Sequence, residues 1–299
     1  MKRKIIVFLI LLFLFFISSY YKSNQILEDR KENVIEESTS PTQKVVLTNN
    51  NSIELEEYII GVVACEMPAS FEIEALKAMS VASRTYAKYK MKKTGKLKTT
   101  TDDQCYITKE EMKEKWKSTY EKYYNKIKKA VNGTENQYMT YKDEIIIAFY
   151  FSISNGYTEN VENVFSQKLD YLKTVESPWD KNYSYKEDQK EMSVKSFLNK
   201  LNINDEEIKT IKYKRNDSKR VQQLIINDKT IKGTKVRQLL NLKSTDFEIN
   251  VSDKVVITTK GYGHGVGMSQ YGSQAMALKG YKYDEILKYY YKDIDIMNN

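Results

Sequence analysis

The chain is poor in the side chains from which most metal centres are built. Its 299 residues include one histidine, His264, and two cysteines, Cys65 and Cys105. No Cys-x2-Cys or His-x3-His pair is present to anchor a zinc site, so these residues predict no metal centre. Two cysteines allow one disulfide, and a pair of unpaired buried thiols agrees with the sequence equally well.

Signatures of two common enzyme classes are missing as well. The sequence has no G-x-S-x-G elbow, which disfavours a Ser-His-Asp hydrolase. The glycines at 261–267 alternate as G-x-G-x-G-x-G, which lacks the dinucleotide-binding fingerprint, and no βαβ pattern surrounds them. Any chemistry must therefore come from other residue types.

The composition is otherwise that of a globular protein with excess positive charge. Hydrophobic residues make up 41% and charged residues 29%, both ordinary values. The net charge of +8 favours an acidic partner, such as nucleic acid, anionic lipid or an acidic polymer. A solvated lysine-rich surface would give the same excess, so charge alone does not choose a partner.

The first 21 residues predict the compartment. "MKRK" precedes the unbroken apolar run "IIVFLILLFLFFI" (Ile5–Ile17), and no A-x-A cleavage pattern follows. Residues 1–21 are therefore predicted to be an uncleaved, single-pass signal-anchor in the cell membrane. The positive-inside rule places the bulk of the chain on the extracytoplasmic side. A nucleic-acid partner is not expected there.

The remaining sequence divides into a tether and a folded part. Residues 22–44 are polar and weakly patterned, which predicts a tether, and residues 45–297 are predicted to form the folded domain. Within it, residues 195–259 form a candidate β-rich subdomain. The predicted fold class is α+β, with a helical N-terminal part, antiparallel strands and hairpins, and a helical C-terminus.

Individual elements follow from periodicity and turn residues. An apolar helix ends before Pro68, a second helix starts at the N-cap Ser70, and a third runs from about residue 109 to Gly133. Hairpin turns are predicted at 142–143, 216–218 and 227–228. Short helices are expected at 234–240, before Gly280 and over "YDEILKYYY".

Glu66, in "VVACEMPAS", is the leading candidate for acid–base chemistry. It follows an apolar run, so partial desolvation should raise the pKa of its carboxyl. Pro68 fixes the helix end that carries it, and Arg84 on the next helix could orient it. A carboxyl protonated near neutral pH suits a general acid for glycosidic cleavage, whereas a helix-end carboxylate in water is the alternative.

Two further stretches could bind a sugar. "FYFSISNGYTENVENVF" offers Ser152, Asn155, Thr158 and Glu159 around a tight turn, although a hairpin followed by a helix cap would look the same. In "KGYGHGVGMSQYG", alternating glycines should let a ligand approach the backbone closely. There His264 could donate a proton or position a hydroxyl, or could be structural. Ser269 and Gln270 should cap the next helix.

Four segments, taken together, resemble the stage II sporulation protein D family, to which the amidase enhancers also belong. The segments are "LEEYIIGVVACEMPASFEIEALKAMSVASRTYA", "FYFSISNGYTENVENVF" with "YLKTVESPWD", "GTKVRQLLNLKSTDFEI" and "GYGHGVGMSQYGSQAMALKGYKYDEILKYYY". They occur in order and cover nearly the whole chain after the tether. The first and last are highly specific.

The resemblance implies a peptidoglycan lytic transglycosylase that cleaves peptide-stripped glycan strands during forespore engulfment. The family's catalytic glutamate corresponds to Glu66, and its arginine in "SRTYA" to Arg84. The substrate-binding set that we predict comprises Arg84, Ser152, Asn155, Thr158, Glu159, His264, Ser269, Gln270 and Tyr271. The implied partners are the sporulation amidase (stage II protein P) and the membrane protein stage II protein M.

Two alternatives to cleavage stay open at the level of sequence. The chain could be a non-catalytic glycan-binding enhancer of a cell-wall amidase. A zinc-dependent hydrolase is the third interpretation, because some family members hold zinc near the segment that is "TTTDDQCYIT" here. This segment has one cysteine and no nearby histidine, so no cofactor is predicted.

Overall fold

The computed structural model of the chain describes residues 44–47, 51–100, 102–183 and 187–298. Its α-helices in these ranges are α1 (Leu55–Glu66), α2 (Ile73–Thr94), α3 (Lys109–Trp116), α4 (Tyr120–Asn132), α5 (Val194–Lys200), α6 (Gly233–Leu240), α7 (Gln270–Leu278) and α8 (Tyr283–Tyr290). The strands are β1 (Lys44–Val46), β2 (Ser52–Glu54), β3 (Gln137–Tyr141), β4 (Glu144–Ile145), β5 (Tyr150–Phe151), β6 (Glu187–Met192), β7 (Ile211–Arg215), β8 (Val221–Ile226), β9 (Lys229–Lys232), β10 (Asp246–Val251), β11 (Val255–Lys260), β12 (Met268–Ser269) and β13 (Asp295–Asn298). This mixture confirms the predicted α+β class.

The predicted anchor, residues 1–21, lies outside the described residues, as does the predicted tether up to residue 43. Across the ranges that the structure does describe, no helix combines the length and the apolar character needed to cross a bilayer. From Val45 onward the chain forms one compact unit.

Helix α1 lies at the centre of the larger hydrophobic core. Val62 and Val63 are fully buried, as the apolar spacing predicts, and each such side chain stabilises the fold by roughly 1.5–3 kcal/mol. The helix ends at Glu66 because Met67 takes an extended conformation and Pro68 has no N–H to donate. Glu66 is thus the last residue of a rigid, buried element.

Helix α2 begins at Ile73, later than the predicted N-cap Ser70 implies. The Phe71 backbone N–H donates to the Pro68 carbonyl at 3.0 Å, so the intervening residues form a turn instead. Gly95 ends the helix with a left-handed φ of 69°. Over its 22 residues the helix packs against α1, α4, α7 and α8.

The single helix predicted over about 109–133 is wrong, because the structure has two. Helix α3 ends at Trp116, a 3-10 turn follows at Lys117–Thr119, and α4 begins at Tyr120. Lys117 takes a φ of 46°, which an α-helix does not accommodate. The lysine- and glutamate-rich sequence has strong helix formers on both sides, which conceals the break.

The three predicted hairpin turns are confirmed. Lys142 and Asp143 take φ values of 50° and 64° between the antiparallel strands β3 and β4. Asn227, with a φ of 51°, begins the turn that joins β8 to β9. The turn at 216–218 joins β7 to β8. Such turns require left-handed backbone, which asparagine and aspartate tolerate better than most residues.

A second, smaller hydrophobic core surrounds Phe197, Leu224 and Val236. Two three-stranded sheets, β10–β11–β6 and β7–β8–β9, contribute to it together with α5 and α6. Strand β11 leads directly from this core into the glycine-rich loop. There β12 pairs in parallel with β5, with Met268 opposite Tyr150. This pairing holds the start of α7 beside β5.

Candidate active site

Glu66 lies in a cleft of about 460 Å³. Helix α1 supplies the glutamate, β5 and the residues just before and after it supply one wall, and the glycine-rich loop supplies another. Aromatic side chains, including Tyr86, Phe149 and Phe165, enclose the interior. A larger depression of about 920 Å³ lies between Ile203 and Lys229 in surface loops, away from these groups.

Three donors hold the Glu66 carboxyl. The Cys105 backbone N–H donates to Oε1 at 2.9 Å, and the Gln270 amide donates to Oε2 at 3.2 Å. The Tyr150 hydroxyl lies 3.5 Å from Oε1, and the Gln104 amide donates to that hydroxyl at 3.1 Å. The carboxyl is therefore oriented from three sides while it faces the cleft.

Burial raises the pKa of Glu66 above its ordinary value, although the hydrogen bonds from Cys105, Gln270 and Tyr150 oppose the shift. The direction of the shift is the one that the sequence predicts. A carboxyl that keeps its proton to higher pH, in a cleft open to a ligand, can donate that proton to a bound oxygen.

A disulfide between Cys65 and Cys105 adjoins this carboxyl. The two Cα atoms lie 5.6 Å apart, and the bridge settles the question that the sequence left open. Because Cys105 donates its N–H to Glu66, the bridge fixes a donor against the residue next to Cys65. In the described residues no group of three or more His, Cys, Asp or Glu side chains could hold a metal ion.

Two other carboxylates line the cleft, and each is paired with a lysine. Lys90 lies 2.8 Å from Asp103, and Lys98 lies 3.1 Å from Asp102. Burial opposes ionisation of Asp103, but the hydrogen bonds from Lys90 and from the Lys98 backbone outweigh it and lower the pKa of Asp103. Glu66 is thus the cleft carboxyl whose pKa moves upward.

His264 lines the cleft as a neutral ring. Its poorly hydrated surroundings, together with the charges of Arg237 and Arg220, lower the pKa of His264 to about 3. The Val266 backbone N–H donates to Nδ1 at 3.0 Å, so the ring proton belongs on Nε2. Donation of a proton from an imidazolium, one of the predicted roles, therefore does not fit this environment.

The alternating glycines are required mainly by close packing within the protein and not by a ligand. A Cβ on Gly267 would lie 1.9 Å from the Phe149 carbonyl oxygen, and one on Gly263 would lie 2.8 Å from the Phe151 Cβ. Gly267 also has a φ of 78°, which favours glycine. The close approach inferred from the sequence is thus between this loop and the chain around β5, which leaves Gly263 and His264 on the cleft wall.

The polar loop after β5 is mostly structural. Ser152 lines the cleft, but the Asn155 amide donates to the Ser218 carbonyl and to Asp246, each at 2.8 Å. Thr158 and Glu159 are buried, at 0% and 2% exposure. The polar groups of these three side chains are bound within the protein, where they connect the loop to its neighbours. None of the three lines the cleft, which does not support their predicted role in substrate binding.

The three predicted substrate-binding residues at the start of α7 have different surroundings. The Ser269 hydroxyl is buried, accepts from the Gly272 N–H as an N-cap, and donates to Asp180 at 3.0 Å. Gln270 reaches the cleft and Glu66. The rings of Tyr271 and Phe71 pack edge to face, with centroids 4.9 Å apart, and Tyr271 does not line the cleft.

Arg84 is fully buried and lies away from the cleft, contrary to the predicted substrate-binding role. Its guanidinium binds Glu56 through two hydrogen bonds of 2.7 and 2.5 Å, and donates to the Gln137 carbonyl at 3.0 Å. Glu56 lies in the first turn of α1, so Arg84 holds the opposite end of the helix that carries Glu66. Loss of one partner from a buried ion pair typically costs about 3–5 kcal/mol.

Sequence reasoning missed three side chains that shape the cleft. Tyr150 contacts Glu66 directly, Arg237 on α6 brings a positive charge, and Tyr262 exposes 45% of its surface at the glycine-rich loop. An exposed aromatic ring beside a polar cleft suits stacking against a sugar face. Tyr262 lies within the glycine-rich stretch and could have been found there, whereas Arg237 carries no local signal.

Comparisons with known proteins agree with this picture. A family profile described as "Stage II sporulation protein" matches residues 42–141. Stage II sporulation protein D of Bacillus subtilis (strain 168) is 41% identical over 266 residues, covering 84% of this chain and 78% of that protein. The protein of the same name from Bacillus amyloliquefaciens is also 41% identical, covering 84% and 77%.

A more distant relative is an amidase enhancer. The amidase enhancer of Bacillus subtilis (strain 168) is 30% identical over 289 residues, which cover 77% of this chain and 39% of that protein. The two sporulation proteins, by contrast, align along most of their own length. The chain therefore belongs to the stage II sporulation protein D family.

Proposed function

We propose that this protein is a peptidoglycan lytic transglycosylase that cleaves peptide-stripped glycan strands and leaves an anhydro-sugar end. The observation that carries the proposal is the carboxyl of Glu66, which faces a cleft, is held by three donors and has a raised pKa. Family membership supports a role in cell-wall processing during sporulation. Engulfment is the step of sporulation in which we propose that it acts.

The reaction needs one carboxyl in two states. Protonated Glu66 gives its proton to the bridging glycosidic oxygen as an oxocarbenium-like centre develops at the sugar. The resulting carboxylate then takes the proton of the sugar's own 6-hydroxyl, whose oxygen closes the anhydro ring. No water is activated, so a second catalytic carboxylate is not required. The ion-paired state of Asp102 and Asp103 is consistent with this scheme.

We also propose a location and partner proteins for the chain. We propose that residues 1–21 anchor the chain in the membrane and that the rest lies on the extracytoplasmic side, where the glycan is. The resemblance to the family implies the sporulation amidase (stage II protein P) and the membrane protein stage II protein M as partners. An amidase that removes peptides would supply the stripped strands.

The decisive experiment compares the purified full-length chain with its Glu66→Gln variant on peptide-free glycan strands. We expect anhydro-ended products from the unaltered chain and a loss of about 10²–10⁴-fold in the variant, because general acid–base catalysis is worth about that much. Mass spectrometry of the products detects the anhydro end. Equal product formation by both proteins would contradict the role of Glu66.

A non-catalytic enhancer is the second candidate, and the similarity to an amidase enhancer favours it. In that case both proteins would bind the strands without producing any cleaved ends. Adding the sporulation amidase with its own peptide-bearing substrate would then reveal faster peptide release. Cleavage by the purified chain alone separates the two functions.

A further inference from the structure

Arg237 is the one cationic side chain among the described residues that line the cleft. It lies on α6 and is half-buried. Its Nε donates to the Leu242 carbonyl at 3.3 Å. No carboxylate of the described residues lies within ion-pair distance of this guanidinium. A charged guanidinium thus lines the cleft without an anionic partner.

Of the other arginines that the structure describes, Arg84 and Arg215 are ion-paired. Arg84 is bound to Glu56 at 2.5 Å, and Arg215 lies 2.9 Å from Asp246. The buried Arg220 has no carboxylate of the described residues within ion-pair distance, but it does not line the cleft and donates to the Tyr157 carbonyl at 3.0 Å. A guanidinium stays charged at any physiological pH, even though burial lowers the pKa of Arg237. Keeping such a charge partly out of water without a partner is unfavourable, unless a ligand supplies the anion.

The charge of Arg237 acts inside the cleft. After burial, it is the largest cause of the lowered pKa of His264, which stays neutral. The carboxylates of Asp102 and Asp103 are bound to lysines, and Glu66 is protonated in the state that starts the reaction. The cleft in that state therefore favours an anionic group on the ligand.

We propose that Arg237 binds the free lactyl carboxylate of a muramic acid residue and thereby selects strands from which the peptides have been removed. This inference rests on the proposed function, because it assigns the anion to the glycan. The planar fork of a guanidinium matches a carboxylate with two parallel hydrogen bonds. When a peptide is attached, the same carboxyl is a neutral amide that offers no charge. Arg237 is thus a specificity-determining residue of the same cleft as Glu66.

The test compares two probes that differ only in charge. Peptide-free glycan strands with free carboxylates are bound to the full-length Glu66→Gln chain, and so are the same strands after methyl esterification. We expect the carboxylate form to bind about tenfold to a hundredfold more tightly, as hydrogen bonds to charged groups typically allow. Isothermal titration calorimetry at fixed salt measures both dissociation constants. Equal affinities for the two probes would overturn the proposal, and this result needs no substitution of Arg237.

Variants then assign the discrimination to one residue. In the Glu66→Gln background, Arg237→Gln should bind both probes alike, and Arg237→Lys should keep part of the preference. Lys235→Gln is the matched control, because Lys235 is an exposed cation on the same helix and its ammonium donates to the Gln238 side chain at 3.2 Å. A preference that survives Arg237→Gln but is lost with Lys235→Gln would also overturn the proposal.

Failure of the proposed function gives a different result. If the chain that retains Glu66 releases no anhydro ends but still discriminates between the probes, the enzyme proposal fails and the role of Arg237 stands. If it cleaves carboxylate and ester strands at equal rates, the enzyme proposal stands and the role of Arg237 fails.

Discussion

Glu66 and Asp180 are two enclosed carboxyls with different surroundings. Burial raises the pKa of both, and for Asp180 the value is about 6. Glu66 faces a cleft and is held by a backbone N–H, an amide and a phenol. Asp180 is 2% exposed and accepts hydrogen bonds from the hydroxyls of Ser154, Ser177 and Ser269. A raised pKa alone therefore does not mark a catalytic group, since access to a ligand is also needed.

The two carboxyls are nevertheless connected through α7. Asp180 holds the hydroxyl of Ser269, which caps the helix, and the next residue, Gln270, donates to Glu66. Asp180 thus fixes the position of a donor to the Glu66 carboxyl without contacting that carboxyl. We infer that Glu66 performs the chemistry and that Asp180 holds the start of α7 in place.

The largest effect should come from breaking the disulfide, which adjoins Glu66 and not Asp180. The bridge spans 40 residues of sequence, and bridges of this size typically contribute about 2–4 kcal/mol to the free energy of unfolding. Reduction should cost stability of this order. Turnover should fall as well, because the Cys105 N–H is no longer fixed against Glu66. Urea unfolding and product release, each with and without reductant, measure the two effects.

The control for this prediction is the double variant Cys65→Ser/Cys105→Ser, which has no thiols to reoxidise. It should behave like the reduced chain, and reductant should leave it unchanged. Identical turnover in the oxidised and reduced wild type would show that the bridge does not position the donor.

An intermediate effect is expected at Asp180, and it concerns stability. Its folded pKa of about 6 lies above its ordinary value of 3.8. Its stabilising contribution is therefore fully present below pH 3.8 and lost as pH rises through about 6. Asp180→Asn should remove this dependence. Relative to wild type, the variant should gain on the order of 3 kcal/mol in free energy of unfolding between pH 4 and pH 7. Urea unfolding at several pH values measures the gain.

The same variant tests the division of roles. In the proposed mechanism the rate falls at alkaline pH as Glu66 loses its proton. Asp180→Asn should leave the midpoint of this alkaline limb in place. A stability difference between variant and wild type that does not change with pH would contradict the buried, titrating carboxyl. A shift of the limb would show that Asp180 affects the pKa of Glu66 through the position of Gln270.

The sequence predicted Glu66 because its signals are local. An apolar helical run, the stop at Pro68 and the expectation of a partly desolvated carboxyl all come from nine consecutive residues, 62–70. The hairpin turns were predictable for the same reason, since asparagine and aspartate mark left-handed backbone. Local patterns thus account for the hairpin turns and for the leading candidate of the site, but not for the break between α3 and α4.

Contacts between side chains from distant parts of the chain could not be predicted from local patterns. Arg84 is an arginine near the glutamate in sequence, yet Glu56 binds it and buries it. Glu159 looks like a loop carboxylate, but the amides of Asn163 and Asn216 donate to it inside the protein. Only packing decides which polar groups of a loop are already satisfied. Arg237 comes to the cleft through the smaller core, for which no local signal exists.

The smallest effect should come from Gln270, the residue through which the two carboxyls are connected. Its amide lowers the pKa of Glu66, so Gln270→Ala should raise that pKa further. Glu66 acts as an acid only while protonated, and the alkaline limb of the rate should therefore move to higher pH. The plateau rate should fall by roughly tenfold, the low end of the range for one hydrogen bond to a charged group, because the amide lies 3.2 Å from the carboxyl. Gln274→Ala, on the same helix but bound to the Glu72 N–H, is the matched control and should leave the limb unmoved. A limb that moves to lower pH in Gln270→Ala would mean that this amide does not stabilise the carboxylate form of Glu66.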